Sequence, residues 1–316
     1  MTKTITSAGI DTSKARLDIA IHGRGEHWQV DNSPPGWRQL ARILDEARVS
    51  RIGIEASGGY ERGVVEHLRE VGLTVLVLQP MQVKAYARVR LRRAKNDKLD
   101  AALIAACAAM IEAPTIGPDQ RLAQLARLLT FVEQIDSDIA RLKTRLEHID
   151  EPRLRRMVLG DITRLDARRS AELKRIIHAL GMHEDLARRF DLVLSIPGIG
   201  ERTAVTIVVR LPELGRLNRE QIAALAGLAP FDDDSGTRQG QRRTVGGRGQ
   251  LRRALYNAAL PASHRWNQAL MRLYASLRAR GKLHKVALVA CARKLLIYAN
   301  TVVQRGTPWI ARNAAT

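Results

Sequence analysis

Apolar and polar positions alternate in three short runs near the start of the chain, TITSAGID at 4–11, RLDIAIHG at 16–23 and EHWQVDN at 26–32. A repeat of two sends successive side chains to opposite faces of an extended backbone, and the turn-forming stretches DTSK and GRG fold the runs back on one another. The pattern predicts a three-stranded antiparallel meander. At PPGWRQLARILDEA, 34–47, the apolar spacing lengthens to three and four, that of an amphipathic helix opened by proline. There follow a strand RIGIEA, a helix YERGVVEHLREVG closed at Gly72, a strand LTVLVLQP, a basic helix MQVKAYARVRLRRA and a helix DKLDAALIAACAAM.

Three antiparallel strands, then helix, strand, helix, strand and helices, is the order of a ribonuclease-H-like fold, an α/β mixed sheet with helices on its faces. APTIGP at 113–118 interrupts the pattern and marks a domain boundary. Beyond it Leu122, Leu125, Leu129, Val132, Ile135, Ile139, Leu142, Leu146 and Ile149 recur at three- and four-residue spacing. Glu151-Pro152 breaks this seam, and a second helical stretch runs from about Arg153 to His178. Such a seam serves an intramolecular helix pair or a dimerising coiled coil equally well, and the mass in solution separates the two. From Asp191 onward, LVLSIPGIGERTAVTIVVRL sets Pro197-Gly198-Ile199-Gly200 between apolar helical runs. This is the turn of a helix-hairpin-helix, in which Gly198 and Gly200 leave backbone N–H groups open to a phosphate at a helix N-terminus, although an ordinary helix corner has the same short signature. Residues 231–249 lack apolar periodicity, and then Leu251, Leu255 and Ala258 mark one face of a helix.

Charge turns the question from fold to partner. The 316 residues carry 52 Lys and Arg against 32 Asp and Glu, a net charge of +20, and the excess is rich in arginine, which pairs bidentately with phosphate. Nucleic acid is the partner this implies. A membrane is not expected: no helix combines a basic face with a Trp- or Phe-rich one, and no run of about 18 apolar residues is free of charge. MTKTITSAGID lacks the apolar core of a signal peptide. Cys107 and Cys291 lie far apart in apolar helical surroundings with no C-x-x-C pair, so neither a disulfide framework nor a cysteine zinc site is expected, and a reducing, cytoplasmic setting fits. Aromatic residues are only 4% of the chain, so nucleic-acid contacts should be mostly to the backbone and fall steeply with salt, without obvious base-stacking platforms.

Four carboxylates fall where the expected sheet would gather them. Asp11 ends the first strand, Glu55 ends the fourth, and Asp97 and Asp100 open a helix three positions apart, on one face. Like charges at that spacing cost an exposed helix about 0.2–0.5 kcal/mol. They follow a basic run that contains Arg88, Arg90, Arg92, Arg93 and Lys95. Taken singly, Asp11 is a turn residue and Asp97 a helix N-cap. Taken together, hard oxygen donors without clustered His or Cys favour Mg²⁺ or Mn²⁺, and two such cations can stabilise the attacking and leaving oxygens of a phosphodiester. A second constellation is LAGLAPFDDDSGTRQGQRRTVGGRGQLRRALYNAA, 225–259, rich in Gly and Arg and suited to wrapping a phosphate backbone. It holds Ser235 with Arg238, Arg242, Arg243, Arg248 and Arg252 close by in sequence. On spacing alone Ser235 reads as a turn serine, because a hydroxyl is a poor nucleophile until a base or metal activates it.

The motifs GIDTSK, IEASGGYER, KNDKLDA, IPGIGERTA and GLAPFDDDSG followed by GQRRTVGGRGQLRRAL occur in this order. Over nearly its whole length the chain thereby resembles the DEDD transposases of bacterial insertion sequences, a group that includes the Piv-type DNA invertases. The resemblance implies a RuvC-like domain of ribonuclease-H type over 1–112, a helical coiled-coil connector over 113–188 and a mainly helical C-terminal transposase domain over 189–316. It implies that Asp11, Glu55, Asp97 and Asp100 bind divalent metal, and that Ser235, the serine of the SG pair, is the nucleophile that forms a covalent phosphoserine link to DNA. It further implies a homo-oligomer, dimer or tetramer, whose two domains cooperate at a composite site, and a structured non-coding guide RNA that pairs with donor and target DNA. Two departures stand out: Ala56-Ser57-Gly58 where many relatives have Thr-Gly after the glutamate, and Asp232, Asp233 and Asp234 beside the serine, which either repel the phosphate or help to hold a metal.

The expectation is therefore a site-specific DNA recombinase in which Ser235 attacks a phosphodiester with help from carboxylate-bound Mg²⁺ and neighbouring arginines. The alternative is a metal-dependent nuclease or junction resolvase that uses water, with Ser235 only structural. A non-catalytic nucleic-acid-binding protein is the third possibility, and it differs in keeping its function when the carboxylates are neutralised.

Overall fold

Five strands form the sheet of the N-terminal part: β1 (Ser7–Thr12), β2 (Arg16–Ile21), β3 (His27–Asp31), β4 (Arg51–Glu55) and β5 (Val75–Leu78), in the order β3-β2-β1-β4-β5. The first three pair antiparallel as a meander, and β4 and β5 add in parallel, so the sheet is mixed as the element order predicts. The computed structural model describes residues 6–56, 58–90, 97–111, 119–231, 243–244 and 246–310. It divides into two units between Thr115 and Ile116.

In the first unit both faces of the sheet are covered. On one face Ile10, Ile19 and Ile54 pack with Leu40 and Leu44 of α1 (Pro34–Glu46) and Val64 and Leu68 of α2 (Arg62–Glu70). Proline opens α1 at a position where its missing N–H costs nothing, and Trp37 Nε1 donates to Asn32 Oδ1 at 2.8 Å to hold the entry of the helix. On the other face lies α4 (Asp97–Met110), preceded by α3 (Pro80–Val89); Leu103, Ile104, Cys107 and Ala108 pack with Leu76, Leu78 and Val83. The alanine-rich sequence of α4 gives that helix a thin surface, and Ser7 Oγ donates to the Ala105 carbonyl at 3.1 Å between strand and helix.

The second unit is helical. Helices α5 (Gln120–Leu146) and α6 (Pro152–Gly181) pack side by side as a hairpin, each with a carboxylate cap: Asp119 accepts from Arg121 N–H, and Glu151 from the N–H groups of Arg153 and Leu154. The apolar seam read from the sequence is buried within the chain, through Ile135, Ile139 and Ile162 at its far end and Leu122, Leu125, Leu129 and Val132 in the main core. There follow α7 (Glu184–Leu194), α8 (Glu201–Arg210), α9 (Arg219–Leu225), a two-residue ladder between β6 (Pro230–Phe231) and β7 (Arg243–Thr244), α10 (Gly249–Pro261), α11 (Gln268–Ala279) and α12 (His284–Arg305). Arg210 donates to Glu133 at 2.7 Å and Arg202 pairs with Asp136, tying α8 to α5. Among the described residues α12 is the one helix long and apolar enough to cross a membrane, but Leu288, Cys291, Leu295 and Leu296 are buried in the core of this unit. Cys107 and Cys291 are both buried free thiols.

Candidate catalytic site

Strands β1 and β4 run parallel with Gly9 opposite Gly53 and Ile10 opposite Ile54, so Asp11 and Glu55, the next residue of each, leave the sheet at the same end. Alternation along the strands puts both carboxylates on the face that carries Gly9 and Gly53. Helix α4 lies on that face at backbone contact. A Cβ at Gly9 would stand 2.1 Å from the Ala101 carbonyl oxygen and 2.2 Å from Ala105 N, and one at Gly53 would stand 2.7 Å from Ala108 Cβ. Residues later in α4 contact earlier parts of β1, so the helix runs against the strand and its first turn points to the end where Asp11 and Glu55 emerge. Asp97 is the first residue of α4, and Asp100 lies one turn on, partly buried; the side chain of Asp97 lies outside the described residues.

The electrostatics agree with this placement. The Glu55 carboxyl is pushed above its ordinary value, first by burial and then by the negative charges of Asp11 and Asp100, while Lys84 on α3 pulls it back. Asp11 Oδ1 accepts from Thr12 N–H at 2.9 Å. Among the described residues no three His, Cys, Asp or Glu side chains close around one point as a finished metal site. Asp11 and Asp100 lie within electrostatic reach of Glu55, and a divalent cation would relieve the repulsion that adds to the effect of burial there. An all-carboxylate donor set suits Mg²⁺ or Mn²⁺.

Two residues that motif spacing passes over stand beside this group. Asp18 of β2 pairs directly with Asp11 across the antiparallel ladder, is only 9% exposed, and accepts from Gln29 Nε2 at 3.0 Å. Its signal was a single acid in the apolar run RLDIAI. Lys84 gave no sequence signal beyond the general basicity of its helix. Arg88 and Arg90 are exposed at the end of the same helix, while Arg92, Arg93 and Lys95 lie outside the described residues.

In the second unit Asp232, Asp233, Asp234, Ser235, Arg238 and Arg242 lie outside the described residues, as does the side chain of Arg243. The base of their loop is described, and it is pinned in four ways. The β6–β7 ladder joins its two sides. Gly227 and Gly247 cross at backbone contact, where a Cβ at Gly247 would lie 2.1 Å from Gly227 N. Arg252 donates to the Gly246 carbonyl at 2.5 Å. Arg248, the cap residue of α10, donates twice to Glu213, at 2.7 and 2.6 Å, and once to the Arg210 carbonyl at 2.9 Å. The guanidinium of Arg248 is thus committed to a partly buried carboxylate, which burial would raise but the hydrogen bonds and charge of Arg248 hold below its ordinary value.

The turn between α7 and α8 is tight. Gly198 has φ +95°, and a Cβ there would lie 2.4 Å from Ala262 Cβ, so both backbone conformation and space require glycine. Gly200 is the extended cap residue of α8, and Glu201 occupies the first turn of that helix.

Residues 8–149 match the model of a transposase family of the DEDD IS110 kind, and residues 190–275 match one described as Transposase IS116/IS110/IS902 family. The chain is 26% identical to the pilin gene-inverting protein of Moraxella bovis, over 97% of this chain and 98% of that protein, and equally to its counterpart in Moraxella lacunata. A 126-residue stretch, 39% of the chain, is 32% identical to the insertion element IS110 uncharacterized 43.6 kDa protein of Streptomyces coelicolor and covers 31% of it.

Proposed function

We infer the reaction from the premise that this chain belongs to the DEDD transposases of the IS110 type, enzymes that recombine DNA. The chemistry is a transesterification. The Ser235 hydroxyl loses its proton, its oxygen bonds to phosphorus, and the bond from phosphorus to one sugar oxygen breaks, that oxygen leaving as a hydroxyl. The phosphoserine link keeps the energy of the phosphodiester, so a second strand can be joined by the reverse step without ATP. Arg238, Arg242 and Arg243 neutralise the charge that develops on the phosphate, whereas Arg248 and Arg252 hold the base of the serine loop. Asp11, Glu55, Asp97 and Asp100 would hold Mg²⁺ or Mn²⁺, which supplies polarisation of the phosphoryl group when bound. The family characteristically uses a divalent metal, and the observation that carries this assignment is the convergence of Asp11, Glu55 and Asp100 under a helix seated on Gly9 and Gly53.

Donor and target DNA are the substrates. Arg88, Arg90, Arg92, Arg93 and Lys95 meet the backbone near the carboxylates, and the Gly198–Gly200 turn offers its N–H groups to a phosphate as a helix-hairpin-helix. Residues 1–112 form the RuvC-like domain, 113–188 a helical connector whose seam is closed within the chain, and 189–316 the transposase domain, and the protein works as a dimer or tetramer. A structured non-coding RNA pairs with the DNA and supplies specificity, and the reaction takes place in the cytoplasm.

The test is to mix purified protein, co-expressed with its flanking non-coding DNA, with a labelled donor junction in Mg²⁺ and to denature it. A DNA adduct that survives denaturation in wild type and disappears in Ser235→Ala supports the mechanism. If Ser235→Ala still cuts and wild type yields no adduct, water is the nucleophile and the chain is a metal-dependent nuclease or junction resolvase. Full activity in an Asp11→Asn, Glu55→Gln double variant would overturn the role of the carboxylates.

A further inference from the structure

From Ser235 to Thr316 the chain carries sixteen Lys and Arg and not one Asp or Glu, so most of the net charge of +20 lies in its last quarter. Within this stretch α10 does not end as an α-helix. It passes into a π-turn, Ala262–Trp266, closed by Asn267 N–H donating to the Ala262 carbonyl at 2.9 Å. Such turns are rare and recur at functional sites.

The turn is built in two halves. Ala262 and Ser263 are buried, with Ala262 against Gly198. Asn267, 3% exposed, donates from Nδ2 to the Pro197 carbonyl at 3.2 Å and accepts from Leu270 N–H at 3.2 Å. The outer half is left to solvent: His264, Arg265 and Trp266 are successive exposed residues, and Trp266 is 56% exposed. The Arg265 guanidinium sits 4.8 Å from the centre of the indole. The ring of His264 lies 4.7 Å from that of Tyr274, whose hydroxyl is 2.6 Å from His284 Nδ1. A tryptophan held in the open by a fixed turn, backed by arginine and set in a stretch whose only charged residues are cations, does not serve the core. It fits a ligand that is flat, aromatic and anionic.

We propose that Trp266, with His264 and Arg265, forms a stacking site for an unpaired nucleobase of a single strand, whose phosphates meet the lysines and arginines of the acid-free stretch 235–316. The site rests on the assignment of the chain as a nucleic-acid enzyme but adds a contact to bases, and the contact to Gly198 places it beside the α7–α8 turn. The indole supplies a face that any base can cover, and Arg265 supplies charge next to it. An acidic or apolar protein partner would leave one of the two unused.

Equilibrium binding of the full chain to fluorescent oligothymidylate, oligouridylate and an abasic strand of equal length tests the site. Trp266→Ala should weaken binding to the base-bearing strands by about tenfold, a stacking contribution of ordinary size, and leave the abasic strand unchanged. Trp266→Phe should retain most of the affinity. A loss confined to the thymidylate or to the uridylate supports the site and shows whether it takes a DNA or an RNA strand. Unchanged affinity for both base-bearing strands, or equal weakening on all three strands, overturns it. Ser235→Ala should bind like wild type, so failure of the stacking site leaves the covalent chemistry standing, and failure of the covalent chemistry leaves the stacking site standing.

Discussion

Gly9→Ala adds one methyl group where β1 and α4 touch, and its consequence can be worked from the contact. Gly9 has an ordinary strand conformation, so alanine brings no backbone strain. The new methyl would meet Ala101 O at 2.1 Å, Ala105 N at 2.2 Å and Ala105 Cα at 2.9 Å, all backbone atoms that no rotamer can move. Restoring ordinary contact, 3.4 Å or more, requires the helix to retreat by roughly 1.3 Å. Overpacking of this kind costs about 1–3 kcal/mol, and the buried hydrogen bond from Ser7 to Ala105 is stretched with it, for about 1 kcal/mol more. At about 4–8 °C per kcal/mol for a unit of this size, the first thermal transition should fall by at least about 8 °C. The same retreat carries Asp100 away from Asp11 and Glu55, and on the proposed metal role of these carboxylates a displacement of about 1 Å is worth about 100-fold in rate. Thermal unfolding followed by circular dichroism and strand exchange on a donor junction measure the two effects. A variant that melts within a degree or so of wild type and recombines normally would refute the close seating of α4. Gly53→Ala gives an internal control, because its worst contact is a side chain, Ala108 Cβ at 2.7 Å. Ala108→Gly should therefore rescue much of the loss at Gly53 and none of it at Gly9.

Other consequences are testable in the same assays. Mg²⁺ should raise the melting temperature of wild type, and Glu55→Gln should melt higher than wild type without the ion and gain nothing from it, since the variant removes a carboxyl that burial, Asp11 and Asp100 oppose. Glu213 is held below its ordinary value, so the stability it contributes is complete above about pH 4.5 and is lost as pH falls through the lowered value. Arg248→Met should flatten that acid dependence and cost about 1–3 kcal/mol in urea unfolding, by leaving Glu213 partly buried without its partner. Gly198→Ala should cost about 2–4 kcal/mol, combining a left-handed backbone with a clash against Ala262, and a change under 1 kcal/mol would mean that the turn can relax.

What the chain determined locally could be seen without a structure. Alternation in RLDIAI and HWQVD, proline at the head of α1 and α6, and the seam from Leu122 to Ile139 follow from the geometry of single elements, which repeat every two or 3.6 residues wherever they sit. The strand ends that carry Asp11 and Glu55, and the helix start that carries Asp100, can be counted along the sequence as well. Tertiary structure decided what those residues meet. Gly9 and Gly53 weaken a strand in isolation, and only the arrival of α4 shows why no larger residue fits there. Arg248 looks like any other arginine of a basic loop until Glu213, 35 residues earlier, takes both of its donors. Low aromatic content argued against stacking surfaces. The π-turn and the exposure of Trp266 depend on Ala262 packing against Gly198 and on Asn267 reaching Pro197, contacts between segments some 64 to 70 residues apart. Periodicity is a property of neighbours along the chain, whereas exposure and the pairing of charges depend on which distant backbone fills the space.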